Sequence, residues 1–228
     1  MSLVGSGGKT SMMYKLAGEL KLKGKVMLST TTKIYIPSKV NYDFLCTDKE
    51  RLKSYSAMKE KGIYILGSII KEENKLMGLR EEELEKLYPY FDYIILEADG
   101  AKGKGLKGWR ETEPVIFKGT TKTFGIMDIQ SRNIDVCEDM IHRCKIFCDI
   151  TGAKEGEKVK LYHLYRAIVH SQGLFKGAMG ERHLYLNKAE TSEDRIAAKM
   201  LINKVMDSER GLLNKAFFGS LNKNLYFR

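Results

Sequence analysis

The stretch Gly5-Ser6-Gly7-Gly8-Lys9-Thr10-Ser11 follows the short apolar run Leu3-Val4 and precedes an amphipathic segment over residues 10–23. Apolar residues recur in that segment at helical spacing, which predicts a helix with one buried face. A strand, a glycine-rich turn and a helix in this order bring backbone N–H groups and the positive end of the helix dipole to one point. The stretch therefore predicts an anion-binding loop within an α/β fold.

The side chains of this loop suit a nucleoside triphosphate. Lys9 would reach the β- and γ-phosphates, and the Thr10 hydroxyl would ligate Mg²⁺. The full pattern G-x-x-x-x-G-K-[ST] fails at one place, because its first glycine would fall on Leu3. The remaining pattern is similar to the shorter loop of Mur-type amide ligases, and the alternative is an ordinary glycine-rich turn before a lysine. We predict phosphate contacts from Gly5, Ser6, Gly7, Gly8, Lys9, Thr10 and Ser11.

Along the rest of the chain, apolar runs of strand length alternate with amphipathic stretches of helix length, which is typical of a mostly parallel sheet with helices on both faces. The predicted strands are 25–33, 42–45, 63–66, 91–97, 122–128, 144–148 and 183–186. The predicted helices are 48–61, 81–87, 158–171 and 191–206, and a hairpin is predicted over 69–79. We expect one P-loop NTPase-like domain over residues 1–228, within which the residues after about 108 could form a lobe. Because four residues precede the loop, the first strand is expected to be truncated and the nucleotide affinity reduced.

The composition is that of a globular protein. The chain has 228 residues, of which 43% are hydrophobic, and a formal net charge of +10. Its apolar runs are much shorter than the roughly 18 residues of a membrane-spanning helix, and its start lacks the pattern of a signal peptide. We therefore expect a soluble, cytoplasmic protein without a membrane partner. The positive charge favours polyanions in general, but lysines and acids interleave along the whole chain, which argues against nucleic acid.

The cysteines are expected to be reduced thiols packed in the protein, since the chain shows no export signal. Zinc is the alternative for His142, Cys144 and Cys148, which are close in sequence. Structural zinc sites, however, usually contain paired cysteines at short spacing and a fourth ligand. No Cys-x-x-Cys occurs here, so a metal site at these residues is not expected.

A second motif is the apolar strand over 91–97, which ends in Glu97-Ala98-Asp99-Gly100. It has the form of a Walker B strand. The two-residue period of a strand puts Glu97 and Asp99 on the same side, at the sheet edge where doubly wound folds bind ligands. One carboxylate could complete the Mg²⁺ shell and the other could orient a water molecule. An acidic strand end that simply faces solvent is the alternative.

Two polar stretches are expected at the same edge. Thr30-Thr31-Thr32-Lys33 ends the second strand and offers hydroxyls and an amine to phosphate, Mg²⁺ or water, although threonine is also common in strands for its shape alone. The loop over 99–108 contains Lys102, Lys104 and Lys107 on a glycine-rich backbone. We predict that this loop is a flexible lid, and that Lys107 contacts an anionic substrate.

A base-binding element is predicted after the strand over 183–186. Asn187-Lys188-Ala189-Glu190 resembles the Asn-Lys-x-Asp element with which GTPases read guanine. In that element the amide and the lysine stem lie along the base, and the carboxylate accepts from the guanine ring. Glu190 is one methylene longer than the expected aspartate, and a plain turn between a strand and a helix is the alternative.

Taken in order, these motifs resemble those of the YqeC family. The resemblance covers essentially the whole chain and rests on Val4 to Thr10, Thr30 to Lys33, Glu97 to Ala101, Leu106-Lys107, Glu113-Pro114, His142-Arg143 and Leu186 to Lys188. The family is regarded as accessory to selenium-dependent molybdenum hydroxylases. The resemblance implies a P-loop nucleotide-binding protein that assists maturation of a molybdenum enzyme related to xanthine dehydrogenase.

We therefore expect a Mg²⁺-dependent slow NTPase that binds ATP or GTP and whose partner is a molybdenum hydroxylase or its cofactor. The expected catalytic residues are Lys9, Glu97, Asp99 and Lys107, the expected Mg²⁺ ligands are Thr10 and Asp99, and the expected base contacts are Asn187, Lys188 and Glu190. The alternatives are an ATP-dependent ligase or kinase acting on a small acid, and a nucleotide-switched binding partner without significant turnover.

Overall fold

The structure is a computed structural model that describes residues 1–47 and 60–228. It has a mixed α/β fold, as predicted. Its strands are β1 (Ser2–Gly5), β2 (Lys25–Thr30), β3 (Lys33–Tyr35), β4 (Phe44–Cys46), β5 (Gly62–Leu66), β6 (Ser68–Ile70), β7 (Lys75–Met77), β8 (Tyr93–Glu97), β9 (Leu106–Lys107), β10 (Lys122–Asp128), β11 (Ile141–His142), β12 (Glu181–Asn187), β13 (Lys215–Ser220) and β14 (Leu225–Phe227). Its α-helices are α1 (Lys9–Leu20), α2 (Glu81–Leu87), α3 (Cys144–Thr151), α4 (Leu161–Val169) and α5 (Ser192–Ser208). None of the described helices is long and apolar enough to cross a membrane.

Within the described residues, the central sheet has nine strands in the order β14-β13-β12-β10-β1-β8-β2-β5-β4. All neighbours pair in parallel except β13 and β14, which are antiparallel. From β1 the chain passes through α1 to β2, which lies on one side beyond β8, whereas β10 pairs with β1 on the other side. The carboxyl ends of the parallel strands therefore meet at one edge, with a change in winding direction at β1.

Successive residues of the central strands face opposite sides of the sheet. Leu3 of β1 belongs to the same buried cluster as Met13 of α1. Its neighbour Val4 belongs to the cluster that contains Ala198 and Leu201 of α5. Helix α1 thus covers one face, and the helices of the second half of the chain cover the other. Both faces of β1 are buried, which explains why its short run is apolar throughout.

Two small sheets lie beside the central one. The strands β3, β7 and β6 form an antiparallel sheet in that order, and β9 pairs in parallel with β11. The hairpin predicted over 69–79 is confirmed as β6 and β7, which are joined by a 3₁₀ turn at Lys71–Glu73 and by Asn74 in the left-handed region. In the chain, β3 follows β2, and β6 and β7 follow β5, so the three-stranded sheet borders the carboxyl edge of the central sheet.

The helices predicted over 10–23, 81–87 and 191–206 are confirmed, with small shifts of their ends. Helix α5 begins after its predicted cap, Thr191, whose hydroxyl accepts the N–H of Asp194 at 3.1 Å. The helix predicted over 158–171 is confirmed in shorter form as α4. The helix predicted over 48–61 lies almost wholly outside the described residues.

The strand predicted over 144–148 is wrong, because this segment is part of α3. The buried residues of α3 recur at three- and four-residue spacing, the period of a helix and not of a strand; they are Cys144, Phe147, Ile150 and Thr151. Arg143 before the helix and Gly152 after it both have left-handed backbone conformations, with φ of 60° and 77°. These two turns separate the segment from its neighbours and confine the helix to two turns.

Two further expectations are corrected. No strand is predicted after 183–186, but β13 and β14 follow it and extend the sheet. Their sequences are short and half-exposed, so the apolar run at Phe217-Phe218 gives only a weak strand signal. The loop over 99–108 is not flexible to its end, because Leu106 and Lys107 form β9 and are 1% exposed.

Candidate functional site

The predicted site residues come together at the carboxyl edge of the central sheet. The loop of residues 5–8 follows β1, Glu97 ends β8, and Asn187 ends β12. The side chains that border this edge line a cleft of about 600 Å³ between the loop, the small sheet β3-β7-β6 and the turn after β13. A volume of this size lies in the range typical of small-molecule sites.

The glycine-rich loop approaches its neighbours too closely for side chains. Gly7 and Gly8 have φ of 79° and 142°. A Cβ on Gly7 would lie 2.4 Å from Cβ of Asp128, and one on Gly8 would lie 2.4 Å from Nδ2 of Asn187. These positions need glycine both for backbone conformation and for space.

The N–H groups after the turn are available to a ligand. Ser6 N–H donates to the carbonyl of Ile126 at 2.9 Å. Within residues 1–47 and 60–228, the N–H groups of Gly7, Gly8 and Lys9 have no hydrogen-bond acceptor. Two of them precede α1 and one belongs to its first turn, so they carry the positive end of the helix dipole. Such a set of donors is suited to anionic oxygens.

Lys9 is folded back over the loop. Its Nζ donates to the Gly5 carbonyl at 2.6 Å and lies 3.2 Å from Oδ1 of Asp99 and 3.7 Å from Oε1 of Glu97. Burial alone would lower the pKa of Lys9, but the negative charges of Asp99 and Glu97 outweigh it and raise this pKa. The lysine is therefore a fixed positive charge at the base of the cleft, 4% exposed.

Glu97 and Thr10 form a pair that lines the cleft. The Thr10 hydroxyl donates to Oε2 of Glu97 at 2.8 Å. Burial raises the pKa of Glu97, while Lys9 and the Thr10 hydrogen bond oppose that rise. A hydroxyl and a carboxylate are hard oxygen ligands of the kind that Mg²⁺ uses together with phosphate and water. In the described residues no group of three or more His, Cys, Asp or Glu side chains is placed to hold a metal ion.

Asp99 lies beneath the loop and does not line the cleft. Its carboxylate accepts the Gly5 N–H at 3.1 and 3.0 Å, and Oδ2 also accepts Lys107 Nζ at 3.1 Å and Trp109 Nε1 at 2.9 Å. With Lys9 on Oδ1, both oxygens are fully engaged and the side chain is 0% exposed. This saturation leaves no lone pair directed at a Mg²⁺ ion in the cleft, unlike the arrangement at Glu97.

Lys107 is an internal residue and not part of a lid. Its Nζ donates to Asp99, to the Gly100 carbonyl at 2.7 Å and to Glu113 Oε2 at 3.0 Å. Glu113 also forms a double hydrogen bond with the guanidinium of Arg143. Burial alone would raise the pKa of Glu113, but the hydrogen bonds from Arg143 and Lys107 and their charges lower it to about 2. The lysines of this loop that do line the cleft are Lys102 and Lys104.

The threonines at and just after the end of β2 form hydrogen bonds with neighbouring segments of the chain. Thr30 Oγ1 donates to the Glu97 carbonyl at 2.7 Å, and Thr31 Oγ1 donates to the Val115 carbonyl at 2.6 Å. Thr32 N–H in turn donates to Thr30 Oγ1 at 3.0 Å. Among the four residues of this stretch, Lys33 is the one that lines the cleft.

The other end of the cleft is formed by β12 and the turn after β13. Asn187 Nδ2 donates to the Gly7 carbonyl at 2.8 Å, and its Oδ1 accepts the Leu221 N–H at 3.1 Å. Lys188 Nζ lies 2.5 Å from Oδ2 of Asp128. Asn187 and Lys188 both line the cleft. Asn187 therefore holds the loop and borders the cleft at the same time.

Glu190 lies farther out. Its Oε1 accepts the Ser220 hydroxyl at 2.8 Å, and its Oε2 lies 2.9 Å from Lys223 Nζ. These bonds lower the pKa of Glu190. Among the described residues, Glu190 is not one of those that line the cleft.

Sequence reasoning assigned no site role to Trp109, Glu113, Asp128 or Arg143. Trp109 and Glu113 are distant in sequence from the loop that they support, and the Glu113-Pro114 and His142-Arg143 motifs indicate no role for their side chains. Asp128, in contrast, ends a buried strand as Glu97 does, and this position at a strand end is a signal that could have identified it.

The chain is similar to one known protein family and to a curated protein of that family. Residues 1–145 match a family model described as YqeC protein. A protein of Escherichia coli (strain K12) named "Uncharacterized protein YqeC" is 29% identical over 214 residues, covering 92% of this chain and 83% of the other. The family match includes the loop, Glu97 and Asp99, whereas Asn187 and Glu190 lie beyond its end.

Proposed function

This chain belongs to the YqeC family, and on that premise and the geometry of the cleft we propose that it binds a nucleoside triphosphate with Mg²⁺ and hydrolyses it slowly. The single observation that carries the proposal is the cluster at the end of β1. There, unpaired N–H groups, the Lys9 ammonium and the pair of Thr10 and Glu97 border one cleft.

The position of the cluster in the sheet supports this reading. In doubly wound sheets, ligands bind outside the carboxyl ends of the strands where the winding direction changes. Here that point is β1, and the loop that follows it is the glycine-rich loop. The proposed fold is accordingly P-loop NTPase-like, with the loop in its phosphate-binding place.

The proposed roles follow from the contacts. The N–H groups of Gly7, Gly8 and Lys9 would bind phosphate oxygens, and Lys9 Nζ would exchange its Gly5 carbonyl contact for the β- and γ-phosphates. Thr10 and Glu97 would hold Mg²⁺, which neutralises charge on the phosphates when bound. This moves the proposed carboxylate ligand from Asp99 to Glu97, because Asp99 is saturated by hydrogen bonds.

Glu97 is also the candidate for orienting the attacking water. Among the described residues that line the cleft it is the one carboxylate, and its Oε1 lies 3.7 Å from Lys9 Nζ. Asp99 and Lys107 then act as positioning residues beneath the loop. The base would lie toward Asn187 and Lys188, and we propose no preference between ATP and GTP.

The test is calorimetric titration of ATP and of GTP, each with Mg²⁺, into the unmodified chain, Lys9→Ala and the control Lys23→Ala. Lys23 follows α1 and is exposed, so its loss removes one positive charge without touching the loop. We expect binding to the unmodified chain and to the control, and a loss of at least 100-fold in affinity for Lys9→Ala. No binding to the unmodified chain, or equal binding by Lys9→Ala, would overturn the proposal.

An accessory role toward a molybdenum hydroxylase is proposed from the family resemblance alone. It predicts that a purified selenium-dependent molybdenum hydroxylase binds this chain more tightly in one nucleotide state than in the other. Surface plasmon resonance with nucleoside diphosphate and with a non-hydrolysable triphosphate would measure the difference. Equal affinity in both states would contradict a nucleotide-switched role.

A further inference from the structure

The part of the cleft farthest from β12 has a separate set of side chains, which we call the outer cleft. It is formed by Lys33 and Tyr35 of β3, Lys75 of β7, and Lys102 and Lys104 of the loop after β8. None of these residues is needed for the roles proposed above for Mg²⁺ or the phosphates. The outer cleft therefore has no assigned ligand.

The charge of the cleft exceeds what the phosphate loop requires. Its lining contains six lysines and one glutamate within the described residues. In the outer cleft, Lys33 and Lys75 share the single carboxylate of Glu73, at 2.6 and 3.3 Å. Lys104 donates to the Glu138 carbonyl, which is uncharged and leaves the ammonium charge in place. Three segments that are distant in sequence, β3, β7 and the loop after β8, thus contribute positive charge to one volume, which concentrates anions.

The strand order separates the outer cleft from the proposed base site. Asn187 ends β12, which lies two strands from β1 on one side, and β3 follows β2, which lies two strands from β1 on the other. A nucleotide with its phosphates at the loop and its base toward Asn187 would direct its terminal phosphate toward β2. The outer cleft lies on that side, so it is placed to receive a second molecule next to the terminal phosphate.

The loop over 99–105, which contains Lys102 and Lys104, is fixed at its end by a hydrogen bond. Ser6 Oγ donates to the Gly105 carbonyl at 2.8 Å, which fixes the end of the loop against the phosphate loop. Tyr35 on the opposite side of the outer cleft is 73% exposed. An exposed ring between lysines offers a flat apolar surface beside the anion-binding groups.

Resting on the proposed nucleotide site, we infer that the outer cleft binds a second, multiply anionic small molecule beside the terminal phosphate. Lys33, Lys75, Lys102 and Lys104 bind its phosphate or carboxylate groups, and Tyr35 contacts its body. An ATP-dependent ligase or kinase, which is the alternative function in the sequence analysis, would act on a substrate of this class. The inference concerns binding, and it holds whether or not transfer to that molecule follows.

The test uses inorganic pyrophosphate as the probe on protein saturated with Mg²⁺ and a non-hydrolysable triphosphate, so that the phosphate loop is already filled. Calorimetry would be run on the unmodified chain, Lys33→Ala/Lys75→Ala and Lys102→Ala/Lys104→Ala. The control is Lys122→Ala/Lys158→Ala, which also removes two exposed, acid-paired lysines but away from the cleft. Circular dichroism would establish that all variants are folded.

We expect one bound pyrophosphate, an affinity at least tenfold weaker in each outer-cleft variant, and little change in the control. No binding to the nucleotide-saturated chain, or equal weakening in the control, would overturn the inference. If the triphosphate itself does not bind, the proposed function is wrong. The same titrations without nucleotide then test whether the outer cleft binds an anion. If only the outer-cleft variants then lose pyrophosphate binding, the outer cleft is still an anion-binding site. If all variants bind pyrophosphate equally well, the outer cleft is not such a site.

Discussion

Both carboxylate oxygens of Asp99 accept the backbone N–H of Gly5, at 3.1 and 3.0 Å. This bond joins the residue after β8 to the residue where β1 ends and the glycine-rich loop starts. Lys9, Lys107 and Trp109 complete the environment of the same carboxylate. The carboxylate that the sequence offers as a metal ligand is thus the support on which the phosphate loop rests.

Asp99→Asn should strongly destabilise the protein. The substitution removes a buried negative charge and leaves Lys9 and Lys107 with fewer partners, which typically costs about 3–5 kcal/mol. Urea unfolding would measure it, with Asp92→Asn as control. Asp92 accepts the Lys25 N–H at 2.8 Å near the exposed start of β8, and its change should cost less than about 1 kcal/mol. Equal losses of unfolding free energy in the two variants would show that the buried Asp99 carboxylate stabilises the protein no more than the exposed Asp92 carboxylate does.

Gly8→Ala should both destabilise the chain and abolish nucleotide binding. Its φ of 142° and the 2.4 Å approach to Asn187 exclude a Cβ, and backbone strain of this kind costs about 1–3 kcal/mol. Gly18→Ala is the matched control, since Gly18 lies exposed within α1 with open space around it. That control should gain about 0.5–1 kcal/mol. A well-folded Gly8→Ala with normal nucleotide affinity would refute the tight-loop geometry.

Acid should weaken the fold through Glu113. Its pKa is about 2 in the folded chain against an ordinary value of 4.5. A lowered folded-state pKa contributes stability that is fully present above the ordinary value and is lost as the pH falls toward 2. Urea unfolding from pH 7 to pH 2.5 should therefore show a decline below about 4.5.

In Glu113→Gln that part of the decline should be absent, and stability at pH 7 should be lower because Lys107 and Arg143 lose a charged partner. Glu85→Gln is the control, because Glu85 pairs with Lys118 at an exposed position and exposed pairs contribute little. Parallel pH curves for Glu113→Gln and the unmodified chain would argue against the paired state of Glu113.

Asn187→Ala should weaken ATP and GTP binding to the same degree, by about tenfold. Its amide holds the Gly7 carbonyl and the Leu221 N–H, and loss of two buried hydrogen bonds costs about 1–3 kcal/mol. Glu190→Gln should change either affinity by no more than about twofold, because Ser220 and Lys223 occupy its oxygens. A loss specific to GTP in Glu190→Gln would instead assign guanine recognition to Glu190.

Much of the site was visible in the sequence because its signals are local. The glycine-rich loop, the apolar strand before Glu97 and the Asn187 turn each combine periodicity with a punctuating residue over a few positions. Parallel pairing then brings all strand ends to one edge without further information. The nucleotide chemistry assigned to these residues stays a prediction.

The sequence misled where the decisive contacts were distant. The local pattern of 144–148 predicts a strand, but the packing of Phe147 and Ile150 against the core of the second half of the chain makes it a helix. The glycines and lysines around Lys107 predict a flexible lid, and no local pattern shows that Asp99 and Glu113 bind its buried ammonium group.

Sequence patterns are sufficient to predict the alternation of strands and helices, the place of the glycine-rich loop and the residue types at the strand ends, because these depend on periodicity and backbone conformation. Which carboxylate faces the cleft, in contrast, depends on how the chain folds. Glu97 and Asp99 are two residues apart and equivalent by pattern. Asp99 lies buried beneath the loop with Lys107 and Trp109 as hydrogen-bond donors, whereas Glu97 accepts the Thr10 hydroxyl at the cleft. Both arrangements depend on chain segments that meet only in the folded state.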